Sequence, residues 1–109
     1  MRPARVVAEV GVNNSESPAV AVDYMVSPAS IGIQCTSETG SPVFTVNYTL
    51  DNVLDPEVTP TWFESDTLTG NNEVPNVLGS IEFPIRAVKV VIGSGTGSVA
   101  MSVVQFGAR

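Results

Sequence analysis

Three glycines at alternate positions, Gly93, Gly95 and Gly97, lie in the segment VVIGSGTGSVAMSVVQF, residues 90–106. Such a run could cradle a phosphate, but the dinucleotide fingerprint G-x-G-x-x-G must connect a strand to a helix. Here position 98 is Ser98, a second strand-like run follows, and no lysine follows the last glycine as in a P-loop. The segment is therefore predicted to be a hairpin turn, in which glycine supplies the positive φ angles.

Acid–base and nucleophilic catalysis lack their usual residues. The sequence contains no histidine, which excludes Ser–His and Cys–His pairs. The single cysteine, Cys35, can form no internal disulfide and falls on the apolar side of a predicted strand, where a thiol behaves as a small hydrophobic group. Carboxylates gather in the middle of the chain, at Asp51, Asp55, Glu57, Glu64 and Asp66. Nothing distinguishes two of them as a glycosidase pair, so we predict that the protein is not an enzyme.

Metal binding is the next chemistry to consider. Zinc is excluded because one cysteine and no histidine cannot supply its ligands. Calcium prefers oxygen ligands, which DNVLDPE and the later ESD offer, but their spacing does not match an EF-hand loop. We predict a solvated acidic loop in this segment and no bound metal or cofactor.

The net charge of the chain disfavours two classes of binding partner. Five basic residues against eleven acidic ones give a net charge of −6, which disfavours nucleic acids and anionic membranes as partners. No stretch approaches the ~20 apolar residues of a membrane span. Only 15% of the residues are charged, against about 25% in an average domain. That low content indicates either a surface covered by a partner or a small β protein rich in Thr, Ser and Asn.

Alternating apolar residues predict an all-β chain. The clearest run is VFTVNYTLD, in which Phe44, Val46, Tyr48 and Leu50 share the inward side. We expect a single domain over residues 1–109: an antiparallel β-sandwich, jelly-roll-like, of seven or eight strands, with a closed barrel as the alternative. Residues 1–7 are predicted to form an N-terminal arm, and a long loop is predicted over 52–80. The predicted strands cover 5–12, 19–26, 30–37, 43–51, 59–64, 81–93 and 97–106.

Two features predict an apolar surface that another subunit or another part of the chain must cover. Trp62 and Phe63 are neighbours, so in an extended chain they point to opposite sides, and one fills the core while the other meets a loop or a partner. The last two strands are apolar on both sides, whereas antiparallel sheets usually keep one side wet. Another subunit or the middle connection must cover the second side. The residues of this second side are Ile85, Ala87, Val91, Ala100, Val104 and Phe106.

Four segments carry a resemblance to a known group of proteins. AVDYMVSPASIGIQC, FTVNYTLDNV, TWFE and FPIRAVKVVIGSGTGSVAMSVVQFG are similar to small structural proteins of tailed bacteriophages, over about residues 19–107. Those motifs are structural and bring no catalytic or cofactor residues. The resemblance implies a virion component, and among such components a small all-β chain resembles the cement or decoration proteins of the capsid.

The resemblance implies a role and a set of partners. The chain would bridge and stabilise major capsid protein subunits, or bind other virion proteins, and would form a dimer or trimer with its own kind. It would lie on the capsid surface of the virion after synthesis in the host bacterial cytoplasm, since the N-terminal segment does not resemble a signal peptide. The predicted interface residues are Trp62, Phe63, Val91, Val104, Phe106, Arg2 and Arg5.

Two alternative roles stay open at this point. The chain could be a virion-surface or tail-associated module that recognises host carbohydrate, with Trp62 and Phe63 stacking on a sugar beside Glu64, Asn71 and Asn72. It could also be a head–tail adaptor or tail-tube component, although adaptors usually carry helices, which this sequence does not predict.

Overall fold

A computed structural model describes residues 4–11, 15–22, 27–71, 73–82 and 85–108, without the side chains of 27–29 and 106–108. These residues form strands and no α-helix, and hence no helix long and apolar enough to cross a membrane. The strands are β1 (Ala4–Glu9), β2 (Val20–Ala21), β3 (Ser27–Gly40), β4 (Val43–Thr49), β5 (Phe63–Gly70), β6 (Asn76–Ile81), β7 (Ala87–Ser94) and β8 (Gly97–Ala108).

The eight strands build two four-stranded antiparallel sheets. Sheet A has the order β1-β8-β3-β6, and sheet B has the order β2-β7-β4-β5. The first four strands pair in reverse order with the last four, so the chain is one long hairpin rolled around a core. The pairs β3–β8 and β4–β7 close the roll. This is the jelly-roll arrangement, and it confirms the predicted antiparallel sandwich.

The core lies between the inner sides of the two sheets. Period-two alternation turns every second residue of the central strands inward, as β geometry requires. In β4, Phe44 and Val46 are buried as predicted, Tyr48 is half-buried, and Leu50 lies beyond the strand and is exposed. Burying such side chains stabilises the fold by roughly 1.5–3 kcal/mol each. The largest buried side chains of the core are Phe44, Ile31, Ile33, Leu68, Ile85, Met101, Val46, Val88, Val90, Val99 and Val103.

The predicted loop over 52–80 was wrong where β5 and β6 occupy it, at residues 63–70 and 76–80. Residues 50–62 and 71–75 connect the strands. The predicted strand at 59–64 likewise begins only at Phe63 and continues to Gly70. Both strands are sheet edges with little inward apolar surface: β5 buries only Leu68 and Gly70, so its pattern is weak.

The glycine segment is a turn, but it does not close a hairpin of paired strands. It connects β7 in sheet B to β8 in sheet A, so it is a corner of the sandwich. Gly95 and Gly97 have positive φ angles of 84° and 111°, and Gly40 opposite them has 66°. Ser41 donates its backbone N–H to the carbonyl of Thr96, which joins the β3–β4 corner to the β7–β8 corner. We name these residues, 39–41 and 95–97, the glycine corner.

The strand predicted at 5–12 is present as β1, which ends at Glu9. Ala4–Val7, also predicted as part of an arm, therefore pair with Ala100–Val103 of β8 inside sheet A. The strand predicted at 19–26 is regular only at Val20–Ala21, and Tyr24 and Val26 lie outside the described residues. Val20 and Val22 share the buried side, as expected from their spacing.

Candidate protein interface

The cysteine is enclosed in the core. Cys35 projects inward from β3 and is fully buried. Desolvation by burial raises the pKa of its thiol from 9.0 to about 12, so the group stays protonated at neutral pH. Because the thiolate is the reactive form of cysteine, this thiol acts as core packing.

Two acidic residues of the middle segment accept hydrogen bonds from the backbone of their own loop. Asp51 accepts a hydrogen bond from the backbone N–H of Thr61 at 2.6 Å, which fastens the two ends of loop 50–62 together. Asp55 accepts one from the N–H of Glu57 at 3.0 Å, in the manner of an Asx-turn. Within the described ranges, no three His, Cys, Asp or Glu side chains come together as a metal site would require.

The adjacent aromatic residues lie on opposite sides of the chain, as their spacing predicted. Trp62 is half-buried, and the Nζ of Lys89 lies 4.4 Å from the centre of its ring. The same ammonium group is paired with Glu16 at 2.6 Å. Phe63 is 55% exposed and stacks on Tyr48, with ring centres 6.4 Å apart. Neither ring therefore fills the core.

The residues proposed for a sugar site do not form one platform. Trp62 and Phe63 face opposite ways, and one face of Trp62 is occupied by the ammonium group of Lys89. Asn71 follows the far end of β5, whose ends Phe63 and Gly70 pair with Tyr48 and Phe44, four residues or roughly 13 Å apart on β4. Asn72 lies outside the described residues. Aromatic stacking beside these amides is thus not favoured by the structure.

The outer side of sheet B is covered by the chain itself. Thr49 and Ala87 pair on this side and are both fully buried. Loop 50–62 approaches this end of the sheet, because Asn52–Leu54 line a small cavity together with Ala21, Val22 and Arg86. Val91 is half-buried and forms an isolated bridge with Glu16. Loop 50–62 thus covers part of the outer side of sheet B, which is one of the two kinds of cover expected from the sequence.

The outer side of sheet A is a surface formed by four strands, and we name its central part the sheet A face. The pairing registers place side chains on this side in rows across the strands, and a row with Glu9, Ser98 and Thr39 lies near the glycine corner. The three rows beyond it make up the sheet A face. The first row is Val7, Ala100, Thr36 and Asn76; the second is Arg5, Ser102, Gln34 and Leu78; the third is Val104, Gly32 and Ser80.

Three apolar side chains project from the sheet A face into solvent. Leu78 is 79% exposed, Val104 is 48% exposed, and Val7 is 40% exposed. Arg5 is the one charged residue in the three rows, and it is paired with Glu38 in an exposed ion pair of small energetic weight. The other residues of the three rows are uncharged: Ala100, Thr36, Asn76, Ser102, Gln34, Ser80 and Gly32. Leu78 also borders a shallow groove of about 270 Å³ between β3 and β6.

The predicted interface residues divide between the two sheets. Arg5 and Val104 lie together on the sheet A face, whereas Phe63 and Val91 belong to sheet B, and Trp62, in loop 50–62, lies against Lys89 of that sheet. Phe106 is in β8, but its side chain and all of Arg2 lie outside the described part of the chain.

Sequence reasoning missed Leu78, the most exposed apolar residue of the face, because its strand was hidden in the predicted loop. The alternation in Asn76–Ile81, which carries Val77, Gly79 and Ile81 inward, was the available signal.

Comparisons with known proteins give little further information. No family model matches the chain, and no curated protein matches it. A solved structure from a study of Bacillus, described as "Bacillus endospore appendages form a novel family of disulfide-linked pili", is similar over 99% of this chain and 88% of its own. The identity is 10% and the TM-score is 0.45, a likeness too low to carry an argument. It is not a phage protein, so the phage resemblance of the sequence gains no support from it.

Proposed function

We propose that this chain is a structural protein that binds other protein subunits of an ordered assembly through the sheet A face. The observation that supports this most directly is the composition of that face. Leu78, Val104 and Val7 are exposed among small uncharged groups, with one ion-paired arginine. Cores of protein interfaces are depleted of charge in the same way, and clustered exposed apolar groups commonly mark interaction sites.

The size of the sheet A face limits the strength of a single contact. Four strands and three rows of side chains span roughly 20 Å by 20 Å. A contact of that size is below the standard size of a stable interface, so a single contact would be weak. Weak contacts suffice on a lattice when one copy touches more than one subunit, because the second contact then forms at a high effective concentration.

As the specific form of this role, we propose a decoration or cement protein of a phage capsid. It would lie across joints between major capsid protein subunits and resist the outward pressure of packed DNA. The sequence resemblance over residues 19–107 is the support for this assignment. Jelly rolls occur in viral capsid proteins and also in lectins, so the fold alone does not select between structural and binding roles.

Val104→Asp is expected to weaken binding to capsid shells that lack the chain by at least tenfold, because it replaces an exposed apolar group of the contact with a charge. Val43→Asp is the matched control, since Val43 is 41% exposed but belongs to sheet B. Cosedimentation of each purified variant with the shells measures the affinity. We expect Val43→Asp to bind as the unmodified chain does.

Two results would refute different parts of this proposal. If the unmodified chain does not bind shells, the capsid assignment is wrong. If both aspartate variants bind equally well, the sheet A face is not the contact surface. A cementing role further requires that shells without the chain release DNA at a lower temperature than complete shells.

A further inference from the structure

The free edge of β6 differs from the other three sheet edges. Natural sheets protect their edges with charges, prolines, bulges or short strands. β1 carries Arg5 and Glu9, β2 is two residues long, and β5 carries Glu64 and Asp66 and has a register shift against β4. β6, with the sequence NVLGSI, has no charge or proline and pairs with β3 without a register shift. Its edge is therefore open to another strand.

The pairing with β3 determines which backbone groups of β6 point outward. Ser37 donates its N–H to the carbonyl of Pro75 at 3.0 Å, which identifies this pair as hydrogen-bonded. Hydrogen-bonded and non-bonded pairs alternate in an antiparallel ladder. By that alternation, Val77, Gly79 and Ile81 bond to β3, whereas the N–H and C=O groups of Asn76, Leu78 and Ser80 point away from it.

From this geometry we infer that two copies of the chain pair antiparallel through their β6 edges, with Leu78 opposite Leu78 of the partner subunit. In this register Asn76 lies opposite Ser80 of the partner subunit, and the reverse pair completes the symmetry. Every outward N–H and C=O group of the three residues then has a partner, which gives six hydrogen bonds. Opposite residues in an antiparallel pair share one side of the sheet, so both exposed leucines meet on the sheet A face.

Charge favours a second copy at this edge. The net charge of −6 makes copies of this chain repel one another over most of their surface. Residues 76–81 are uncharged, so no acidic side chains oppose each other within the paired residues 76–80. The nearest carboxylate, Glu82, accepts a hydrogen bond from Ser80 and lies beyond the end of the strand. In the proposed register Glu82 lies opposite Val74 of the partner subunit and one position from the partner's Glu73, so carboxylates approach one another only outside the paired residues 76–80.

The pairing would join two sheets A into one eight-stranded sheet and place two sheet A faces side by side. Its contact area is small, so we expect a dissociation constant of roughly 10–1,000 µM. The inference concerns association between copies and does not depend on what the sheet A face binds.

Sedimentation velocity of the full chain between roughly 10 µM and 1 mM tests the pairing, and a concentration-dependent dimer is expected. Ser80→Pro should weaken the dimer at least tenfold, because it removes one outward N–H from each copy and leaves the ladder to β3 intact. Val7→Pro is the matched control. Val10 donates its N–H to the carbonyl of Gly97, so these two residues are a hydrogen-bonded pair of the β1–β8 ladder. By the same alternation, the N–H of Val7 points away from β8, at the free edge of β1.

Two charge variants keep the test independent of proline effects on folding. Leu78→Asp and Leu78→Lys should each be monomeric, because like charges would face each other across the two-fold axis. An equimolar mixture should form the heterodimer, since opposite charges then meet. A chain that is monomeric at 1 mM, or a mixture that does not associate, would overturn the inference. Either result would leave the binding of Val104→Asp and Val43→Asp to shells unaffected, so failure of this inference is distinguishable from failure of the proposed function.

Discussion

Replacing Gly97 with alanine is expected to lower the free energy of unfolding by about 3 kcal/mol. The φ angle of Gly97 is 111°, a conformation that side chains disfavour, and a Cβ there would overlap the backbone carbonyl of Thr39. The glycine corner would have to separate to admit the methyl group. For a domain of this size, such a loss lowers the melting temperature by about 15 °C, which thermal unfolding followed by circular dichroism measures.

Gly93→Ala is the control within the same run of glycines. Gly93 has no positive φ angle, and the atom nearest to an added Cβ is the carbonyl oxygen of Val43 at 4.0 Å. Its melting temperature should stay within about 3 °C of the unmodified chain. Equal melting temperatures for the two variants would show that the corner does not require a glycine.

Replacing Phe44 with alanine is expected to destabilise the fold by about 4 kcal/mol. Phe44 is 1% exposed and is the largest fully buried side chain. Its ring packs against the backbone of β5 at Gly70, where a Cβ would collide with it. Truncation therefore leaves a cavity between the central and edge strands of sheet B, and urea unfolding at 25 °C measures its cost.

Phe63→Ala makes the same chemical change at the surface. Phe63 is 55% exposed and loses mainly its stacking contact with Tyr48. We expect a loss of about 1 kcal/mol or less. If Phe63→Ala were as costly as Phe44→Ala, the contrast between a buried Phe44 and a solvent-exposed Phe63 at the sheet edge would be wrong.

Local alternation predicted the central strands but not the edges. β3, β4, β7 and β8 each bury one apolar side, so a period of two is visible in their sequences. β5 and β6 bury few side chains, and Gly79 of β6 faces the core with no side chain at all, against the end of Leu68. Their positions are set by tertiary pairing with β4 and β3, which local sequence does not specify.

The residues predicted to form one interface lie on two different sheets, because local sequence does not show which strands share a sheet. The apolar outer residues Val91 and Val104 were expected on one surface, since a short glycine turn suggested one hairpin. In the roll, β7 and β8 belong to different sheets, so these two side chains lie on opposite sides of the sandwich. The difference between a hairpin and a corner depends on long-range pairing with β3 and β4.

The two proposed contacts complement each other. A β6 pair would double the area of the sheet A face and place the exposed Leu78 residues at its centre. A wider face binds a lattice more firmly, because both halves are held in one rigid sheet. Weak association between free copies would then become strong on a particle.

The most direct test of the account is a density map of the isolated assembly that contains this chain, at a resolution that places its two sheets. The account predicts many copies at regular positions, each with Val104 and Leu78 of the sheet A face in contact with neighbouring protein. A map in which the sheet A face points into solvent, while loop 50–62 and the outer side of sheet B form the contact, would contradict it.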